Sequence, residues 1–359
     1  MTDAWTISEQ AQRLHDSAIV IDTHIDTITH LLWHDHEFNE RLTDARVDIP
    51  LLREGGIDAA FFAIWVDDKY DKYEALQYTL RGIDVMFRTI DKYPDDLAIA
   101  LTTSDVEQAK REGKVAVLLS VEGGRALSDD LGVLRQLYKL GIRSTTLCWG
   151  DATSWIDSCN DEPHGGLTDF GRAIVAEMNQ VGMIPDISHV SDKAFYDVLE
   201  ASGRPVFASH SSCRDLTPAR RNMADAMITA LAEKNGVINI NFGGGFVTRE
   251  PADAHLANLN DWDDKDYDGW GRIGIASGEI GPPIDALIDH FEHAIDLVGA
   301  EHVGIGTDFD GVKSLPVGMD DIGKMPLVTD LLLKRGRSEM EVTEVLGASN
   351  LRLFREAMD

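Results

Sequence analysis

Short runs of apolar and β-branched residues recur along the chain, and between most of them the apolar positions switch to a helical period. SAIVIDTH stops at His24, and DAAFFAIWV stops near Val66. KYEALQYTLRGIDVMFRTIDKYP follows with apolar residues at helical spacing. KVAVLLSVEGG is unbroken up to Glu122, the pattern of a strand covered on both faces. LGVLRQLYKLGIRSTTLCW reads as a helix, a glycine stop and a strand ending near Trp149. GRAIVAEMNQVGMIPDISH repeats that plan, with Gly182 closing the helix and the strand ending at His189. SDKAFYDVLEASGRPVFASH repeats it to His210, with Ser191 as N-cap and Gly203 as helix stop. The seventh unit ends in the strand GVININ, and the eighth ends in HVGIGTD at Asp308, after which VTDLLLKRGRSEMEVTEVLGASNLRLFREAM is a last helical stretch.

Eight such units in one chain of 359 residues predict an α/β fold, a closed parallel (β/α)8 TIM barrel. An open doubly wound sheet is the competing arrangement, but its glycine-rich turn after the first strand is replaced by DTHIDTITH. No linker or low-complexity stretch interrupts the pattern, so residues 1–359 are expected to form a single domain, with 149–168 and 246–280 as excursions at the barrel mouth.

Charge narrows the partners. Thirty-three basic against 62 acidic residues leave a net charge of −29, a field that repels nucleic acid and anionic membrane surfaces. Three cysteines without a CxxC pair point to a reducing compartment. The segment MTDAWTISEQAQRLHDS lacks the pattern of a secretory signal, and no apolar run approaches a membrane span, so a cytoplasmic, soluble protein is expected.

The candidate chemistry sits where the strands stop. In a parallel barrel all strands finish at one rim, so His24, Asp26, Glu122, His189, His210 and Asp308 converge from distant parts of the chain. Imidazoles and carboxylates together suit a borderline-soft divalent ion such as zinc. A two-ion arrangement uses His24, Asp26 and Glu122 for one ion and Glu122, His189 and His210 for the other, with Glu122 bridging. Each member alone has an ordinary reading: a hydrogen-bonded rim histidine, a carboxylate salt-bridged to an arginine, or a turn aspartate in TDFDG. It is their joint occurrence at matching strand ends that argues for a metal site. By contrast, His30, His34 and His36 in ITHLLWHDHEF, and His290 and His293 on a helix, lack a strand-end position and read as surface or supporting residues.

The pieces IDTHIDT, SVEGG, DISHVS, PVFASHSSCR, ARRNMAD, GIGTDFDG, VGMDDIG and ASNLRLF occur in order from residue 22 to about 354. In these motifs the chain resembles the membrane (renal) dipeptidase family, peptidase family M19, among the amidohydrolase-like metal-dependent hydrolases. The resemblance implies a binuclear metal site at the C-terminal ends of the strands, with two Zn(2+) per subunit. It implies hydrolysis of free dipeptides through a metal-bridging hydroxide, with tolerance of a D-configured C-terminal residue, and a possible homodimer. Carried over residue by residue, His24 and Asp26 hold one zinc, Glu122 bridges, and His189 and His210 hold the other. Arg221 of ARRN receives the substrate carboxylate, and Asp308 transfers protons. One position departs: the best-known mammalian members have LTH after the fourth strand, whereas TTLCWG here puts Trp149 in place of that histidine, as in a bacterial subgroup. Trp149 can form a wall of the substrate site, but its indole offers no imidazole to the scissile carbonyl. The contrasting readings are a metal-dependent amidohydrolase or lactonase on a non-peptide substrate, and a catalytically impaired metal-binding barrel.

Overall fold

The computed structural model describes residues 5–34, 36–248 and 281–359. Most of the expected excursion at 246–280 therefore lies outside the described residues. The strands are β1 (Ile21–Ile25), β2 (Ala59–Trp65), β3 (Leu97–Ile99), β4 (Val115–Glu122), β5 (Ile142–Thr146), β6 (Ile184–Asp186), β7 (Phe207–Ala208), β8 (Val237–Ile240) and β9 (Val303–Ile305). All their pairings are parallel. The circuit β1-β2-β4-β5-β6-β7-β8-β9 closes through Asp22 opposite Ile305, giving the eight-stranded barrel that the sequence pattern predicts.

β3 is an addition the pattern did not reveal. It pairs only with the start of β4, Leu97–Ile99 against Val115–Val117, below the point where β5 takes over at Leu119. The helix Thr103–Glu112, closed at both ends by a Thr102/Asp105 capping box and left-handed Gly113, joins it to β4.

Local chemistry explains the helices around the barrel. Lys72–Lys92 begins in a capping box between Asp71 and Glu74 and buries Ala75, Tyr78, Thr79, Ile83 and Met86 along one stripe. Gly82 on that helix lets it lie against β2, where an added Cβ would come within 2.7 Å of Ile64. Ser191 caps Asp192–Ala201 by accepting from Ala194 N, and Gly182 ends Asp169–Val181 at φ 90°, as expected from sequence.

The barrel interior is layered. Phe61 of β2 meets Phe207 of β7 edge to face at 5.9 Å and Phe354 of helix Ser349–Ala357 at 5.5 Å. Because β2 and β7 are not neighbours, the Phe61–Phe207 contact crosses the barrel and marks its floor. Leu118, Ile184 and Val237 pack in the same apolar layer. Burying each such side chain stabilises the fold by about 1.5–3 kcal/mol.

Candidate metal centre at the barrel rim

Side chains two residues apart on a strand share a face, so the interior can be followed upward from the floor. Above Leu118, Ile184, Phe207 and Val237 come Ser120, Asp186, Ser209 and Asn239, all buried and all polar. One step higher are Glu122, the last residue of β4, and Trp65, its register partner on β2. Apolar filling thus gives way to hydrogen-bonding groups along single strands.

The rim brings together all six residues singled out as metal or acid candidates. His24 Nε2 lies 3.4 Å from Asp26 Oδ2 and 3.4 Å from Glu122 Oε2. Glu122 Oε1 lies 2.9 Å from His189 Nε2 and 3.3 Å from His210 Nε2, and those two nitrogens are 3.0 Å apart. Asp308 joins His24 and His210 in a further cluster of donor atoms. Glu122 therefore faces His24 and Asp26 with one oxygen and the two remaining histidines with the other.

These spacings fit metal coordination. Bonds of about 2.0–2.1 Å in a tetrahedron set neighbouring donors about 3.3–3.4 Å apart. His24 Nε2 and Asp26 Oδ1 are also buried without a hydrogen-bond partner, atoms that a cation would satisfy. The tautomer of His210 follows from its surroundings. Ser209 Oγ donates to Asp186 Oδ2 at 2.6 Å and so accepts from His210 Nδ1 at 2.7 Å, which leaves the lone pair on Nε2 facing Glu122.

The electrostatics match. Burial opposes charge on His24, but Glu122 and Asp26 overcome it and raise its proton affinity well above the usual imidazole range. Burial, then Arg221, lowers His189 to about 4, and burial, His24 and Arg221 together push His210 well below its ordinary value. Asp308 is raised well above a normal carboxylate by burial and by repulsion from Asp26.

His189 and His210 are not themselves strand residues. β6 stops at Asp186 and β7 at Ala208, and beyond them the N–H groups of Ser188 and Ser209 both donate to Asp186 Oδ1. His189 and Asp308 adopt left-handed conformations, φ 71° and 63°, that swing their side chains over the rim. Asp26 lies one residue past β1, at the N-cap of Thr27–Trp33. Gly311 comes so close that an added Cβ would sit 2.1 Å from Asp26 and 2.4 Å from Asp308.

Of the two adjacent arginines, Arg221 points inward, donating to Ser211 Oγ and His210 O at 2.8 Å each, while Arg220 reaches outward to Glu162. Arg221 Nε is buried without a hydrogen-bond partner. Trp149 stands edge-on to Trp65 at 4.9 Å and 6.4 Å from His189, forming part of the mouth's wall. The turn behind it is held by Asp68, which accepts from Asp151 N at 2.8 Å. Trp155 and Phe242, aromatic residues near the same mouth, are wholly buried in the core. His290 is also a core residue, accepting from Cys213 N.

Sequence reasoning passed over Asp22, Asp186, Ser209 and Asn241. Asp22 accepts from Thr307 Oγ1 at 2.6 Å and from His24 N at 3.1 Å, and Asn241 donates to Asp308 Oδ2 at 2.8 Å. The available signal was a polar residue at every second position of a strand otherwise apolar, as in Asn239 and Asn241 of VININ.

Fold and site together define a metallohydrolase barrel with its chemistry at the C-terminal rim. The model of the membrane dipeptidase family, peptidase family M19, matches residues 8–359, and the chain belongs to that family. It is therefore an enzyme of metal-dependent dipeptide hydrolysis. The chain is 35% identical over 322 residues to dipeptidase verJ of Clonostachys rogersoniana, covering 86% of this chain and 75% of that protein. It is 31% identical over 342 residues to dipeptidase tcpJ of Claviceps purpurea (strain 20.1), covering 91% and 74%. A metallopeptidase from Rhodobacter sphaeroides, solved with a phosphinate mimic of L-Ala-D-Ala, superposes with a TM-score of 0.81 at 24% identity, covering 95% of this chain and 100% of that one. Among the described residues no helix is long and apolar enough to cross a membrane.

Proposed function

We propose that the chain is a di-zinc dipeptidase in which His24, Asp26 and Glu122 hold one ion and Glu122, His189 and His210 the other. The observation that carries this reading is the set of 2.9–3.4 Å contacts from both oxygens of Glu122 to three imidazoles, close to the edges of two coordination polyhedra sharing one carboxylate. Bound there, the ions supply a water acidic enough to attack near neutral pH and a positive charge for the carbonyl oxygen.

The remaining roles belong to the chain. Asp308, held by Asn241 and set beside His24 and His210, is placed to take a proton and pass it to the leaving amine. Arg221 offers its planar guanidinium, steadied by Ser211 and the His210 carbonyl, to the dipeptide's carboxylate. Trp149 walls the side-chain pocket and leaves carbonyl stabilisation to groups other than an imidazole at that position. With the carboxylate fixed by Arg221, a D-configured C-terminal residue fits if its side chain faces the open mouth. The reading treats residues 1–359 as one catalytic domain in a reducing compartment, in keeping with three buried free thiols.

The test is a panel of L,L and L,D dipeptides with zinc-loaded enzyme, alongside N-acetylated and C-amidated versions. Cleavage confined to peptides with free ends is expected. Preference for blocked amides or lactones would favour the non-peptide alternative, and a protein that retains no zinc would defeat the proposal.

A further inference from the structure

The HDH stretch left aside in the sequence acquires a partner in the fold. The helix Thr27–Trp33 ends with His34 N donating to His30 O at 2.9 Å, which fixes the backbone of His34. Across from it, Asp44 lies in a loop pinned on both sides: Leu42 N donates to Asp48 Oδ2 at 2.9 Å, and Arg46 N donates to Asp310 Oδ1 at 2.7 Å. One ligand atom each from His34, His36 and Asp44 lies within 4.8 Å of the other two.

The ordinary account is a surface histidine–aspartate ion pair, and the geometry argues against it. His36 Nε2 and Asp44 Oδ2 are 3.4 Å apart, and Nε2 is buried with no hydrogen-bond partner. Their side chains are only 19% and 23% exposed. An imidazole nitrogen buried without a partner is destabilising, whereas 3.4 Å is the edge expected of two donors on one ion with bonds of about 2.0–2.1 Å. The His34 and His36 rings, 5.1 Å between centroids, are near enough for modest side-chain rotation to close the third edge.

We infer that His34, His36 and Asp44 form a further metal site, separate from the Glu122 cluster, that takes a divalent ion of zinc type. Two imidazoles and one carboxylate are a borderline-soft donor set, and three protein ligands leave a coordination position open to water. The ion links the C-terminal end of Thr27–Trp33 to the loop before Asp48, bracing one side of the mouth.

Zinc bound at saturation, measured by equilibrium dialysis and elemental analysis, tests the site in wild type, His36→Ala, Asp44→Asn, Glu122→Gln and the Glu122→Gln/His36→Ala double variant. The expected result is one zinc fewer per chain in His36→Ala and in Asp44→Asn than in wild type, with dipeptide hydrolysis retained as evidence of folding. The double variant should likewise hold one fewer than Glu122→Gln. That difference counts the outer ion whatever the occupancy of the central cluster, so failure of the di-zinc reading leaves it measurable. Equal zinc content in wild type, His36→Ala and Asp44→Asn would overturn the site.

Discussion

At the floor of the barrel Phe61, Phe207 and Phe354 meet edge to face with no polar atom among them, whereas at the other end of the same strands Glu122, His189 and His210 crowd within 3.3 Å. The floor residues, Glu122 and His210 are almost completely buried, while His189 keeps a partly exposed edge at the mouth. The floor gains stability from removing apolar surface from water. The rim does the opposite, since gathering like-charged carboxylates such as Asp26 and Asp308 in a dry pocket costs free energy unless a cation compensates them. One scaffold thus uses its lower layers to offset the strain of its upper ones, and mutations at the two ends should fail in different ways.

The sharpest separation comes from Glu122→Gln, which removes the shared carboxylate. Metal analysis should show loss of the ions near Glu122 and abolished dipeptide hydrolysis, with the barrel still folded by circular dichroism. Asp308→Asn keeps the proposed ligand set but removes the proposed proton carrier, and kcat should fall by about 10²–10⁴ with zinc content unchanged. If zinc were lost as well, Asp308 would be a ligand. At the floor, Phe61→Ala should cost about 3–5 kcal/mol in denaturant unfolding while leaving zinc affinity near wild type. A large change in metal affinity would break the division between the regions. Ser209→Ala removes the hydroxyl that orients His210 and should weaken zinc binding by about 10–100-fold, read by competition with a chelator.

The smallest effect concerns pH. Burial chiefly, with Asp151 adding repulsion, raises Asp68 to about 6 despite the Asp151 N–H and Arg125. Between roughly pH 4 and 6 the folded state holds a proton that the unfolded chain has released, so this group's contribution to stability declines as pH rises through that window. Asp68→Asn should flatten that part of the stability profile, and an unchanged slope would remove Asp68 from it.

Much of this division was legible in the sequence. Predominantly apolar runs that stop at His24 or Glu122 disclosed both the barrel and its rim, since a run covered on both faces has few other architectures open to it. The three residues of β3 were not, because Leu97–Ile99 pairs only with the first turn of β4 and carries no periodic signal of its own. Nor was the left-handed backbone at His189 and Asp308, since neither residue type announces it. The choice between Arg220 and Arg221 depended on the turn that lets Arg221 reach the His210 carbonyl. His36 and Asp44 were missed for a related reason: loop hydrogen bonds, not strand ends, bring them together.

The aromatic seal formed by Phe61, Phe207 and Phe354 also governs traffic. With that end corked, the Glu122 cluster opens, among the described residues, on the side of the rim where Trp149 and Arg221 stand. If Arg221 grips the carboxylate as proposed, turnover includes a queue: the fragment held by the guanidinium must let go before the next molecule docks, and its departure sets the pace of the cycle.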